Sequence, residues 1–209
     1  MSLATSLSPG DQKVLAAILS GEGPGVVPGV KVDSSLSPDA HITDVDELSD
    51  LVAREKRAIK LVEESEDYRA AMEILNEIIS HQPLYASAYN NRAQLARLYE
   101  SGMSQDGIIE DLEKAIDLAK PEKQTDAVSK MRATVLCQAY SQLGGLYIQE
   151  SKRASDSWPL EERASECLHF AGLYGNELAR AVATQVNPYA KLCGNMVSEA
   201  LRREREQAA

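Results

Sequence analysis

Ala71-x-x-x-Leu75-x-x-Ile78-x-x-x-x-Pro83 places a small residue and two apolar residues on one helical stripe and a helix-stopping proline beyond it. In the next segment, Tyr89-x-x-Arg92-Ala93-x-x-Ala96 puts an aromatic and small residues on one face. Ile108-x-x-x-Leu112-x-x-Ala115 then repeats the spacing of Ala71, Leu75 and Ile78. The span from Ala71 to Ala119 therefore reads as the second half of one helical hairpin followed by a whole second hairpin. One such hairpin cannot bury its apolar face alone, so stacked neighbours are implied.

Downstream, Pro121, Glu122 and Lys123 open a third unit. Tyr140-x-x-Leu143-Gly144-x-x-Tyr147 in it copies the first-helix signature of the tetratricopeptide repeat, W-x2-L-G-x2-Y, with Tyr in place of Trp. The glycine lets two helix backbones approach, at a cost of about 1 kcal/mol in helix propensity. Ala164-x-x-x-Leu168-x-x-Ala171 supplies the matching second helix. Val128, Met131, Val135 and Leu136 extend the first helix upstream. Between the two, Gln149 to Glu162 with Trp158-Pro159 reads as a long exposed turn. Repeat two is also long: Ile78 and Ala115 lie 37 residues apart against a norm of roughly 34, which places an insertion near Ser101–Ser104. Beyond Gly175-Asn176, a helix from Glu177 to about Thr184 is expected to cap the stack. Asn187-Pro188 then opens a final helix carrying Leu192, Met196, Val197, Ala200 and Leu201, and its Arg202–Glu206 end reads as a solvated tail.

Upstream, Thr43 or Asp44 can cap the first helix of repeat one, with Glu47 in capping-box spacing to Asp44. Val45, Leu48, Val52, Ile59 and Val62 are expected to line its buried face to about Glu64. Ile59 falls where these repeats place a small residue, so this hairpin is expected to splay. Before it, the first ten residues read as loose. Asp11 caps a short helix carrying Val14, Leu15, Ile18 and Leu19, too short to stand alone and so expected to dock on the body or a partner. Ser20 to Asp39 holds Gly21, Gly23, Pro24, Gly25, Pro28, Gly29 and Pro38, which exclude a helix. Val26, Val27, Val30 and Val32 suggest an extended, partly pinned linker, with a disordered tether as the alternative.

The domain reading is an N-terminal helix and linker over 1–43, then a repeat domain over 44–186 and a C-terminal helix and tail over 187–209. The repeats fall at about 44–85, 86–120 and 121–176, followed by the capping helix. The fold class is all-α, a right-handed superhelix of three hairpins. Composition agrees, with 44% hydrophobic residues, only 5% aromatic, and a middle rich in Ala, Leu and Glu.

A formal net charge of −10 argues against nucleic-acid or anionic-membrane binding. No run approaches the roughly 18 apolar residues of a membrane span, and Met1–Thr5 lacks the charged-then-apolar order of a leader. The default compartment is the cytosol, with the nucleus also open. Cys137, Cys167 and Cys193 lack metal or redox spacing and read as free thiols.

Ala86-Ser87-Ala88-Tyr89-Asn90-Asn91-Arg92-Ala93-Gln94 and Asn187-Pro188-Tyr189-Ala190-x-Leu192-Cys193 resemble strings of the tetratricopeptide-repeat protein 36 family, and Asp11-Gln12-x-Val14-Leu15 resembles its N-terminal helix. The resemblance covers nearly the whole chain. The turns near Met103 and Trp158 depart from the family's tighter ones. It implies a small intracellular adaptor rather than a catalyst, associated with heat-shock chaperones and with control of tyrosine breakdown through protection of a catabolic enzyme.

No catalytic constellation stands beside it. His41, His81 and His169 are dispersed, no P-loop, GxGxxG or HExxH is present, and Cys193 reads as a small apolar residue buried against the body. No cofactor is implied. Binding fits better, because the first helices of stacked hairpins form a concave surface. In repeat two that surface should carry Ser87, Asn90, Asn91, Gln94, Arg97 and Leu98. Repeat proteins that clamp a chaperone's terminal carboxylate do so with Lys, Asn and Arg. Lys56 and Asn91 match that set, Lys60 stands where it has Asn, and Gln138 and Gln142 stand where it has Lys and Arg. Two matches of five should weaken anion capture, each lost charge-assisted bond being worth roughly 1.5–3 kcal/mol. Asn91 and Arg92 also have scaffold roles open to them, an amide bonding a neighbouring backbone and an Arg head pairing with an acid.

The expected function is a noncatalytic adaptor, monomeric or weakly self-associating, holding a protein segment or chaperone through Lys56, Lys60, Asn90, Asn91, Gln94, Arg97, Gln138 and Gln142. The alternatives are a self-associating scaffold whose groove is filled by its own N-terminal segment, and an enzyme using Cys193 or a histidine.

Overall fold

The computed structural model describes residues 30–99 and 102–207. The expected Asp11 helix and the Val26-Val27 part of the linker lie outside the described residues. Among the described residues are eight helices and no strand beyond one isolated bridge. α1 (Val45–Ser65) and α2 (Tyr68–His81) form the first hairpin, α3 (Ala86–Leu98) and α4 (Gln105–Ala119) the second, α5 (Lys130–Ser151) and α6 (Trp158–Leu173) the third. Then come α7 (Glu177–Val186) and α8 (Pro188–Gln207). Each helix packs on the next, and α3 also touches α5, so the first helices of the second and third hairpins adjoin.

Short polar side chains start these helices by occupying first-turn N–H groups that have no carbonyl partner. Asp44 accepts from the backbone of Asp46 and Glu47, and Asp67, Ser104, Ser129 and Asn176 cap α2, α4, α5 and α7. Glu47 does not close the expected box; its carboxylate accepts from Gln82 Nε2 at 2.7 Å, tying the start of α1 to the end of α2.

The core follows the repeat spacing. Ala71, Leu75 and Ile78 are buried with Leu48, Leu51, Ala58 and Tyr85. Leu112 and Ala115 are buried with Ala93, Leu136, Leu143 and Tyr147 in a larger cluster. At Gly144 a Cβ would stand 2.8 Å from Leu168 Cγ, and at Gly172 one would stand 2.7 Å from Arg180 Cβ, so these glycines set how closely α6 meets α5 and α7. Tyr140, in the slot of the motif's Trp, stacks on Phe170 at 5.0 Å between centroids.

Three expectations are corrected. The buried stripe of α1 is Leu48, Leu51, Glu55 and Ala58, whereas Val45 and Ile59 are exposed, Ile59 at 46%. Ala58 is the small residue at the crossing, so Ile59 forces no splay. Trp158-Pro159 does not belong to a long turn but forms the first turn of α6, leaving only residues 152–157 as the connection. Proline fits that position because its missing N–H is not needed there. Cys193 is exposed rather than buried, because α8 leaves the body after its first turn and Pro188 is its only buried residue.

The linker is pinned where it is described. Val30 N–H donates to the Leu173 carbonyl at the end of α6, Lys31 and Asp33 bracket Val128 with two backbone bonds, and Ser129 Oγ donates to the Pro38 carbonyl at 2.7 Å. Asp39 then accepts from the backbone of His41 and Ile42, and Ile42 enters the core of the first hairpin. Residues 30–42 thus run along one edge from the third hairpin back to the first.

Candidate functional site

The first helices of the three hairpins, α1, α3 and α5, form a row joined by a continuous ladder of side-chain hydrogen bonds. On α1, Glu55 is buried and accepts from Tyr85 Oη at 2.7 Å, Ser87 Oγ at 3.1 Å and Asn91 Nδ2 at 2.8 Å. On α3, Asn90 is 0% exposed; its Nδ2 donates to Asn91 Oδ1 and to Gln138 Oε1 at 3.0 Å, and its Oδ1 accepts from Gln142 Nε2 at 2.9 Å. On α5, Gln142 Oε1 accepts from Arg97 Nη1 at 3.4 Å. Asn90, Asn91 and Gln142 each use donor and acceptor at once, as a buried amide must if no polar atom is to be left without a partner.

Burial raises the pKa of Glu55, an effect that its three donors oppose and that the nearby Asp39 charge reinforces. The Tyr85 hydroxyl is likewise pushed up, by burial and by Glu55 itself. The pair shares one arrangement: hydroxyl donating, carboxylate accepting.

Two hollows open above this floor. One, of about 390 Å³, lies between the first and second hairpins against Ile59, Val62, Leu75, Leu95 and Leu98, with Asn91, Gln94 and Gln138 at its polar side. The other, of about 730 Å³, lies between the second and third against Arg97, Gln138, Ser141, Gln142 and Asn176. The first hollow is mainly apolar and the second is mixed, with Leu98, Met103, Ile108 and Leu146 beside its polar residues.

The expected site residues divide on this surface. Gln94, Arg97 and Gln138 are exposed along the hollows, and Asn91 and Gln142 are half-buried. Asn90 is wholly inside, a joint between helices. Lys56 is exposed beside Ser87, Met131 and Thr134, and Lys60 is exposed and paired with Glu64 at 3.5 Å. Arg92 turns away from the row: its guanidinium forks Asp111 on α4 and donates to Asn76 on α2.

Sequence reasoning missed Glu55 and Tyr85. The available signal was Glu55 interrupting the apolar stripe of Leu48, Leu51 and Ala58 at three- and four-residue steps, since a polar residue on a buried stripe needs partners. Among the described residues no group of three or more His, Cys, Asp or Glu is arranged to hold a metal, and no helix is long and apolar enough to cross a membrane. Burial pushes the Cys167 thiol up to about 12, against thiolate chemistry there.

No family model matches the chain. It is similar to tetratricopeptide repeat protein 36 of Danio rerio, at 35% identity over 93% of this chain and 93% of that one. It is 30% identical to the human tetratricopeptide repeat protein 36 over 95% of this chain and 98% of that one. It is also 33% identical to the L-tyrosine degradation gene cluster protein hmgX of Aspergillus fumigatus, over 96% of this chain and 94% of that one.

Proposed function

Since the chain belongs to the tetratricopeptide repeat protein 36 family, we propose that it is a noncatalytic adaptor that holds a segment of another protein along its inner row of helices, and that this client serves tyrosine breakdown. The observation that carries the reading is the composite floor, an apolar hollow beside Ile59 and Leu98 continuing into exposed amides at Gln94 and Gln138. An extended segment with one apolar anchor suits such a floor, its side chain entering the hollow and its backbone meeting amides that both donate and accept. The name of the fungal relative supports the metabolic part.

A chaperone tail ending in carboxylates is a poorer fit. Gln138 and Gln142 are neutral, and Lys60 is engaged by Glu64. Lys56, Lys60, Asn91, Gln94, Arg97, Gln138 and Gln142 are the contact residues proposed here, with Asn90 holding α3 against α5 beneath them.

The test is affinity purification with mass spectrometry from native cells, comparing wild type with Ile59→Asp/Leu98→Asp. Both side chains are exposed, so helical content should not change. A tyrosine-catabolic enzyme recovered with the wild type and lost with the variant supports the reading. An identical set of recovered proteins overturns it.

A further inference from the structure

Arginine, alanine and a hydroxyl residue follow one another three times in the chain, at Arg132-Ala133-Thr134, Arg153-Ala154-Ser155 and Arg163-Ala164-Ser165. The fold treats the three copies differently. In the first, inside α5, Arg132 donates to the carbonyls of Ala119 and Lys120, and the Thr134 hydroxyl donates to the Lys130 carbonyl at 3.0 Å. In the third, inside α6, Arg163 lies 4.5 Å from the centre of the Tyr147 ring and pairs with Glu113, while buried Ser165 donates to the Ala183 carbonyl at 2.9 Å. Both arginines and both hydroxyls are already engaged.

The middle copy is not. It lies in the connection 152–157 between α5 and α6, where Lys152, Arg153 and Ser155 are all exposed. Among the described residues neither cation meets a carboxylate, and the Ser155 hydroxyl makes no hydrogen bond. The backbone is held on either side of Ser155 and not at it: the Arg153 and Ala154 N–H groups donate to the Glu150 carbonyl, and the Trp158 N–H donates to Asp156 Oδ1 at 3.2 Å. No side chain from Lys152 to Asp156 is buried, so this stretch can be laid out in a foreign groove without opening the core. Lys152 also supplies a second cation ahead of Arg153, a place that Met131 and Glu162 hold in the other copies.

We propose that Ser155 is a phosphorylation site for a serine kinase whose peptide groove offers carboxylates to Arg153 and Lys152, two and three residues ahead of the acceptor. Charge patterns of this kind are how kinases choose among accessible hydroxyls. Ser155 Oγ attacks the γ-phosphorus of Mg-ATP and its proton passes to the kinase's catalytic aspartate; the bond from that phosphorus to the β,γ-bridging oxygen breaks, and ADP leaves. The product adds a charge of about −1.5 to −2 beside two cations that have no other partner. It stands just ahead of α6, whose N-cap Ser157 makes no side-chain bond, so the fold accommodates the group.

The test uses the full chain with Mg-ATP. The catalytic subunit of cyclic-AMP-dependent protein kinase is the probe for cation-directed recognition, and a casein kinase that reads acidic residues is its counterpart. Phosphopeptide mapping should place the phosphate on Ser155 with the first kinase and find none there with the second. Ser155→Ala should abolish the incorporation. Lys152→Gln/Arg153→Gln, at exposed positions without ion pairs, should slow it about tenfold or more with unchanged helical content. Protein recovered from native cells under phosphatase inhibitors should carry the same phosphate, and the modified chain should melt no lower than the unmodified one. Incorporation at Thr134 or Ser165 of the folded chain as fast as at Ser155 overturns the proposal, as does an unchanged rate in the Lys152→Gln/Arg153→Gln chain. A Ser155 peptide recovered from cells only in unmodified form overturns it too, and a lowered melting temperature overturns the accommodation ahead of α6.

Discussion

Arg92 on α3 grips Asp111 on α4 with a two-pronged fork, Nε to Oδ2 at 2.7 Å and Nη2 to Oδ1 at 2.6 Å, while Nη1 reaches Asn76 on α2 at 2.9 Å. One guanidinium so locks two successive hairpins. Asp111 is nearly buried, and removing its partner strands a carboxylate that water cannot reach. Arg92→Ala should lose stability toward the lower end of about 3–5 kcal/mol, since Arg92 itself is partly exposed. Arg92→Met/Asp111→Leu should recover most of that. Urea unfolding of the three proteins checks both statements.

Adjacent glycines in α5 should respond with opposite signs. A methyl at Gly144 meets Leu168 Cγ at 2.8 Å and the Ala164 carbonyl at 3.4 Å, whereas one at Gly145 meets only Arg97 Nη2 at 4.0 Å. Leu168 is itself buried and cannot swing aside freely. Gly144→Ala should destabilise by about 1–3 kcal/mol despite its better helix propensity. Gly145→Ala should stabilise by about 0.5–1 kcal/mol. The difference in urea midpoints reads out both.

Asn90 and Gln94 lie one helical turn apart on α3 and should separate stability from binding. Asn90→Ala removes a wholly buried amide together with its bonds to Gln138 and Gln142 on α5, a loss of about 1–3 kcal/mol. Gln94 is exposed above the hollows. Gln94→Ala should leave the midpoint within about 0.5 kcal/mol of wild type while weakening capture of a groove-bound client, measured by calorimetry once that client is in hand.

The buried carboxyl of Glu55 gives a pH dependence of definite sign. Its folded-state pKa lies above the unfolded one, so the folded state binds the proton more readily. Its contribution therefore improves as pH falls through the folded pKa toward the unfolded value near 4.5, and is at its worst above both. Glu55→Gln removes this titration. The stability of the wild type relative to that variant should rise between pH 7 and pH 5, and paired denaturant titrations at the two pH values settle the sign.

The hairpins were legible because their signals are local: a stripe at three- and four-residue steps, short polar caps, proline after the stripe. What escaped was decided by partners distant in the chain. Glu55 hid the true face of α1, because its burial depends on Tyr85, Ser87 and Asn91, about thirty residues on. Asn90 and Asn91 look alike in sequence, and only the packing of α5 and α1 makes Asn90 a wholly buried joint to α5 and Asn91 a half-buried link to Glu55 on α1. Trp158-Pro159 carries a proline that serves equally in a turn or in a first helical turn. Cys193 sits on a stripe indistinguishable from a core face, since periodicity records that a side is apolar and not what covers it.

Stacked hairpins ordinarily communicate only with their immediate neighbours, so an end unit can fray while the rest persists. The segment from Val30 to Ile42 alters that connectivity. It is hydrogen-bonded to both ends of the third hairpin, at Leu173 and Val128, and buries Ile42 in the first. Opening the first hairpin pulls on the third, and opening the third releases the first. A row of three hairpins joined hand to hand becomes a closed ring of dependencies, and the three should melt together as one cooperative body.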